Sequence, residues 1–312
     1  MLIRSMQEMN AYGLPDPSFP DRNHYSVPLE SDYDKERSSG GLHSDTIFVN
    51  EAYDSRKTGI NEWVYFPSAY RAYIGSGFFG FTCNQLKSQR HAHFAIQLLF
   101  NVETPFLLSL DDSEEIELFF FIIPPFIPHR MANPGGKLIS ILIDPLSFLG
   151  RKLNAVFEDP ESLTAANKSI VNSVYAHIQE RLAEFETAAF FNNTIACLNR
   201  SISKLPECRM DERIRNVVAR CQEKDGENIV ARDMAKWTFL SESRARHLFK
   251  EETGVPFTQY LKWLKMMKAI KHAFTSGASL TEVAHMAGFS DSAHLSRMFR
   301  EFFGLMPSSV LQ

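Results

Sequence analysis

The spacing of apolar and polar residues divides the chain into four parts. Residues 1–42 lack apolar periodicity and hold four prolines, an acidic stretch and the Ser38–Gly41 cluster, which predicts a loose arm. Residues 43–160 contain short apolar runs, each bounded by Gly, Pro, Asn or Asp, as in a β-sandwich or barrel. These runs are residues 63–66, 78–81, 95–100, 106–110, 118–123 and 138–143.

In residues 161–204 the apolar residues recur at helical spacing. Ile170, Val174 and Ile178 recur at four-residue intervals and begin one apolar stripe over residues 169–190. Such a stripe serves a dimerisation helix as well as a helix that packs on its own domain, so both interpretations are open. We predict a helical region here that acts in dimerisation or as a linker.

Residues 205–312 contain an internal repeat. A shift of 50 residues aligns Phe249 with Phe299 and Gly254 with Gly304. Each copy has the pattern of a short helix, a turn and a second helix. The tail is also the more basic part: from Asp211 onward, 15 Lys and Arg stand against 12 Asp and Glu, a net of +3, whereas residues 1–210 carry a net of −7. This asymmetry permits binding to a polyanion.

The second helix of each copy has one face for the core and one for a ligand. Ser241 precedes the first such helix as an N-cap. In the second copy the capping box 279–282 starts a helix, Gly288 provides the turn, and the next helix begins near Asp291. The buried positions expected from the spacing are Ala245, Leu248, Phe249, Leu295, Met298, Phe299 and Phe302.

The second copy carries a family motif. Residues 288–290, 294–300, Gly304 and Pro307, with 260–261 on the connecting helix, resemble the AraC/XylS family of regulators. The resemblance implies two helix-turn-helix units that read consecutive major grooves of double-stranded DNA about 10 bp apart. It implies base contacts by the outer residues Ser243, Arg246, His247, Ala293, His294 and Arg297. The residues expected to contact phosphates are Lys250, Lys268 and Arg300.

A second resemblance lies in the β-rich part. His91-Ala92-His93, Gln97 and residues 124–133 with His129 resemble the two motifs of a cupin, a small double-sheet barrel. The resemblance implies that His91 and His93 lie on one strand and both point inward, with His129 on another strand. Three imidazoles could then converge and bind Zn²⁺, Fe²⁺ or Ni²⁺. The resemblance to sensory cupins of this regulator family favours a metal-free pocket for a small-molecule effector, and a filled barrel is the third interpretation. The residues expected to line the pocket are Trp63, Tyr65, His91, His93, Gln97 and His129.

These observations predict an α+β chain: a cupin-like β-barrel followed by helices, and an all-α C-terminal domain with two helix-turn-helix units. We expect a cytoplasmic, DNA-binding transcription regulator that is a homodimer, with RNA polymerase as a further partner, and neither an enzyme nor a holder of metal or cofactor. The four cysteines lack C-x-x-C spacing, the first ten residues lack a signal-peptide pattern, and the longest apolar run is too short to span a bilayer. The alternative is a metal-dependent cupin enzyme, or a metal sensor, that carries a DNA-binding tail.

Overall fold

The computed structural model describes residues 62–65, 71–75, 77–101, 103–157, 170–181, 188–203 and 209–307. The arm expected at residues 1–42 lies outside these ranges. The described residues form a two-sheet β domain, helices on one face of it, and an all-helical C-terminal domain. The predicted fold class is therefore confirmed. Within these ranges no helix is both long enough and apolar enough to cross a membrane.

The β domain consists of two antiparallel sheets. Its strands are β1 Glu62–Tyr65, β2 Arg71–Gly75, β3 Phe78–Cys83, β4 Leu86–Lys87, β5 Ile96–Asn101, β6 Phe106–Leu110, β7 Ile116–Leu118, β8 Phe120–Ile123, β9 His129–Asn133 and β10 Leu138–Ile143. One sheet has the order β1-β2-β3-β10-β5-β8 and the other has the order β4-β9-β6-β7. Side chains from both sheets meet in one core, so the pair is a double-sheet barrel.

Strands β3, β5 and β10 are buried on both faces of the larger sheet. On β10, Leu138 and Leu142 point into the core between the sheets, whereas Ile139 and Ile141 pack against helices on the outer face. Successive side chains of a strand point to opposite faces, so both sets must be apolar. This double burial explains why the sequence shows continuous apolar runs here.

The run at residues 118–123 is not one strand, which corrects the sequence prediction. β7 ends at Leu118 and pairs with β6 in the smaller sheet, while β8 starts at Phe120 and pairs with β5 in the larger one. The chain passes from one sheet to the other at Phe119, whose carbonyl oxygen accepts from the Asn101 N–H at 2.8 Å. An unbroken apolar run cannot show such a crossing, because both strands contribute to the core.

Helices cover the outer face of the larger sheet. They are α1 Phe148–Phe157, a π-helical turn Val171–Tyr175 that leads into α2 Ala176–Glu180, and α3 Ala188–Ser201. The stripe residues Ile170, Val174 and Ile178 are buried in this layer. The helix expected to be continuous over 169–190 ends at Glu180, because Arg181 leaves helical geometry with φ −112° and ψ 23°. The burial favours packing on the same domain, and the homodimer stays a prediction.

The C-terminal domain contains the two expected helix-turn-helix units. Its helices are α4 Glu212–Glu223, α5 Ala231–Thr238, α6 Glu242–Thr253, α7 Phe257–Thr275, α8 Leu280–Met286 and α9 Ser292–Phe303. The first unit is α5 with α6, the second is α8 with α9, and α7 connects them. The N-caps Ser241, Ser279 and Asp291 each accept a main-chain N–H of their own helix. Gly254 and Gly304 end α6 and α9 with φ of +72° and +63°.

The β domain and the C-terminal domain share one apolar core. The ring of Phe94 packs edge-on against Tyr260 and Trp263 of α7, with centroid distances of 5.6 and 6.2 Å. Main-chain atoms also join the domains, because the Gln89 N–H donates to the Gly304 carbonyl oxygen at 2.9 Å. The end of α9 is therefore fastened to the segment that precedes the histidine pair of the barrel.

Candidate functional site

Helix α6 presents the expected reading face of the first unit. Ala245, which lies on the same face as Leu248 and Phe249, is buried, so Ser243, Arg246 and His247 are exposed on the other side. Arg246 lies 3.5 Å from the Glu242 carboxylate, within the same helix. Exposed pairs of this kind contribute little free energy, so the arginine is free to exchange its partner for a nucleic acid.

Helix α9 presents the corresponding face of the second unit. Ala293 and Arg297 are exposed, and His294 is half-buried. The His294 ring lies edge-on to Phe289 at 5.3 Å, and its Nδ1 is 3.1 Å from the Ser290 Oγ. These contacts orient His294 at the start of the helix, the end that is expected to enter a major groove.

The three expected phosphate contacts differ in their surroundings. Lys250 is exposed on α6. Arg300 is exposed too, and its Nε lies 3.1 Å from the Met306 Sδ. Lys268 instead pairs with Glu227, and its side chain is only 11% exposed. A phosphate role for Lys268 stays a prediction, and it requires Glu227 to release the ammonium group.

Three histidines of the β domain lie together, as the cupin resemblance implies. One ring nitrogen of each of His91, His93 and His129 lies within 4.8 Å of the others, and all three side chains are buried. The prediction that His91 and His93 share a strand is wrong. His91 makes a single bridge to His129 of β9, and His93 lies in the irregular segment before β5. The sheets still bring the rings together because this bridge fixes the approach of the two segments.

Hydrogen bonds determine the tautomer of each ring. Every Nδ1 faces a main-chain carbonyl oxygen, which can only accept, so Nδ1 carries the proton and Nε2 carries a lone pair. The acceptors are the carbonyl oxygens of Gln89 for His91 (2.8 Å), Ala95 for His93 (2.9 Å) and Ile127 for His129 (2.8 Å). Burial, with repulsion from His93, lowers the pKa of His91 to about 3, and burial also lowers the pKa of His93 and of His129. All three rings are neutral near pH 7, the form that binds a metal ion.

Gln97 completes the cluster. Its Oε1 lies 3.1 Å from the Nε2 of His93 and 3.1 Å from the Nε2 of His129, while its amide donates to the Ser140 Oγ at 2.9 Å. In this arrangement only hydrogen-bond acceptors face one another, which is favourable when a cation lies among them. Three imidazoles and one amide oxygen suit Zn²⁺, Ni²⁺ or Fe²⁺, so the residues fit the metal that a cupin-like fold implies.

The cavity beside the histidines is small and lies between the domains. His91, His93 and Gln97 form its polar side, and Phe299 and Phe303 of α9 close it. Its free volume for water-sized occupants is about 30 Å³, room for about two water molecules. Periodicity assigned Phe299 to the core of the second unit, and no sequence signal indicated that α9 also closes the cavity.

Two residues expected in the pocket cannot be placed in it. Trp63 and Tyr65 lie on β1, and their side chains fall outside the described residues. Of the expected pocket residues, the structure brings together His91, His93, His129 and Gln97.

Comparison with known proteins bears mainly on the C-terminal domain. Residues 234–312 match a family model described as a helix-turn-helix domain. The C-terminal domain is of the AraC/XylS type. The HTH-type transcriptional activator RhaS of Citrobacter koseri is 25% identical to this chain over 182 residues, 54% of the chain and 66% of RhaS. RhaS of Escherichia coli O139:H28 is 36% identical over 86 residues, 26% of the chain and 31% of RhaS. Each alignment spans less than two thirds of the relative.

A solved structure also aligns with this chain. It is ToxT from Vibrio cholerae O395, bound to (E)-4-(8-methylnaphthalen-1-yl)but-3-enoic acid. The alignment covers 75% of this chain and 98% of ToxT, with 11% sequence identity and a TM-score of 0.46. A likeness at this level gives no information about the ligand of this chain.

Proposed function

We propose that this protein is a sequence-specific, DNA-binding transcription regulator whose β domain holds an effector. The observation that carries the proposal is the repeated unit: α6 and α9 each bury one face and expose Arg246 or Arg297 on the other. An arginine beside the start of such a helix can donate two hydrogen bonds to guanine O6 and N7. The relationship to RhaS, a transcription activator, supports the same conclusion.

The remaining parts of the proposal concern the partners of the protein and its location in the cell. Double-stranded DNA is the primary partner, and RNA polymerase is the partner through which a bound regulator would act. We propose a cytoplasmic homodimer that is not an enzyme. The alignment with RhaS, a transcription activator, supports this last statement.

The first test is selection of bound sites from a random DNA pool by the full chain at near-physiological salt. Two short enriched blocks about one helical turn apart are expected, because two units on one connecting helix read successive grooves. The Arg297→Ala variant should then lose about 1–3 kcal/mol on the selected site and much less on random DNA. Lys224→Ala, which removes one exposed positive charge at the end of α4, is the matched control. Equal losses on both DNAs for Arg297→Ala would contradict base reading.

A metal sensor is the second candidate, and the convergence of His91, His93 and His129 with the Gln97 oxygen favours it. This candidate keeps the DNA-binding tail and makes a metal ion the effector. Elemental analysis of the purified full chain distinguishes it from a regulator with an organic effector. About one zinc, nickel or iron per chain supports the sensor, and a metal-free chain that takes up no added metal refutes it.

A further inference from the structure

The histidine cluster lies directly beneath the second DNA-reading unit. His91 belongs to the cluster. Its Nδ1–H donates to the Gln89 carbonyl oxygen at 2.8 Å, which leaves the lone pair of Nε2 for an ion. The Gln89 N–H in turn donates to the carbonyl oxygen of Gly304 at 2.9 Å, where α9 ends. Three residues thus form one continuous hydrogen-bonded connection from the cluster to α9.

Gly304 lies very close to Gln89 and His91. A Cβ atom at Gly304 would lie 2.3 Å from the Gln89 carbonyl oxygen and 2.7 Å from the His91 Nδ1. Real side-chain atoms do not approach a backbone oxygen so closely, so the position of Gly304 depends on where Gln89 and His91 lie. Phe303, the preceding residue, forms part of the wall of the same cavity. The end of α9 is therefore in contact with the site on two sides.

We propose that a divalent transition-metal ion in the site that the cupin-like fold implies would fasten the second DNA-reading unit to the β domain, through His91, Gln89 and Gly304. A metal-bound imidazole usually donates its other N–H to a carbonyl oxygen, which fixes the ring and strengthens that donor. Here the carbonyl belongs to Gln89, whose N–H donates to Gly304, so an ion that fixes the His91 ring also fixes the backbone of Gln89. An ion in the cluster therefore stabilises the docked position of α9.

The expected effect of the metal ion on DNA affinity rests on the proposed function. In the docked position Ala293 and Arg297 remain exposed, so docking leaves the reading face of α9 free. The β domain also contacts the connecting helix α7 through Phe94. Docking thus holds the second unit in one position relative to the helix that links it to the first. A reader held in one arrangement loses less entropy on binding, so the metal should tighten binding to a site with matching spacing.

The test uses the tag-free full chain, stripped with a chelator and titrated with Zn²⁺ in a calorimeter. We expect one ion per chain. His93→Ala should abolish this binding, because it removes one of the three imidazoles of the cluster. His285→Ala removes an exposed histidine of α8 and is the matched control. No binding to the wild type would overturn the proposal.

Hydrogen exchange of the Gln89 amide reports docking directly, because this N–H donates to Gly304 across the domain boundary. Saturating Zn²⁺ should slow its exchange by about tenfold, a typical coupling between two sites. The Leu248 amide, inside α6, is the internal control and should not respond. Zn²⁺ binding without a change at Gln89 would overturn the connection to α9. If His93→Ala fails to fold, exchange of the Gln89 amide in the wild type with and without Zn²⁺ still tests the connection to α9.

Gln97→Glu tests the remaining assumption, which is the orientation of the Gln97 amide. With Oε1 toward the imidazoles, the wild type binds Zn²⁺ and Gln97→Glu binds it more tightly. Binding by Gln97→Glu alone would mean that the wild-type NH₂ group donates to the imidazoles and closes the site, which refutes the proposal.

DNA affinity is measured on the same samples. If Gln89 responds to Zn²⁺ but no DNA is bound, the proposed function fails while the docking connection stands.

Discussion

The internal repeat offers an unusually well-matched pair of substitutions, Gly304→Ala and Gly254→Ala. Both glycines end the second helix of a unit in the left-handed conformation, with φ of +63° and +72°. A Cβ at Gly254 would meet nothing within 4 Å, whereas one at Gly304 would collide with the Gln89 carbonyl oxygen at 2.3 Å. The two variants therefore share the cost of the backbone conformation and differ in the domain contact.

The expected free energies follow from these contacts. Gly254→Ala should lower the free energy of unfolding by about 1 kcal/mol, the cost of placing a Cβ in the left-handed region. Gly304→Ala adds the lost Gln89–Gly304 hydrogen bond, about 0.5–1.5 kcal/mol, and the overpacking at the domain boundary, about 1–3 kcal/mol. The reduced freedom of alanine in the unfolded chain is common to both variants and cancels. Gly304→Ala should therefore be the less stable by about 1.5–4.5 kcal/mol.

The difference in the free energy of unfolding is measured by equilibrium unfolding in urea. Both variants and the wild type are compared in the first unfolding transition. Exchange of the Gln89 amide shows whether the loss lies at the domain boundary, since only Gly304→Ala should accelerate it. Equal destabilisation by the two substitutions, within about 0.5 kcal/mol, would refute the close contact between α9 and the β domain.

Two further predictions concern charge. Burial raises the pKa of Asp144, which accepts from the Gln222 amide at 3.2 Å, to about 6 from 3.8. The folded chain thus holds this proton more tightly than the unfolded chain, so the unfolding free energy should fall by about 3 kcal/mol as the pH rises from 4 to above 6. Asp144→Asn should remove this component in urea titrations at pH 4.5 and 7.5, and an unchanged pH dependence would contradict the assignment. Lys250→Ala should weaken binding to all DNA sequences alike and reduce the salt slope by about 1, measured by DNA titration at several salt concentrations. Lys268→Ala should do less because Glu227 already pairs with that lysine; a larger salt effect for Lys268→Ala would reverse this ranking.

Much of the C-terminal domain could be predicted because its signals are local. Ser241, Ser279 and Asp291 cap helices by accepting main-chain N–H groups three residues away, and the pattern of buried residues on α6 and α9 follows from helical spacing. The β domain was harder. Residues 118–123 form one apolar run in sequence but two strands in different sheets, because hydrophobicity reports burial and not the partner strand.

By itself, the sequence determined the two repeated units, their caps, the outward position of Arg246 and Arg297, and the residue types of the histidine cluster. Only the tertiary structure decided that the cluster is closed by Phe303 of α9, that Gly304 rests on Gln89, and that the cavity has room for about two water molecules. The physical reason is distance along the chain. Helix caps and periodicity depend on neighbours within a few residues, whereas the contact of Gln89 with Gly304 depends on how two separately specified domains pack.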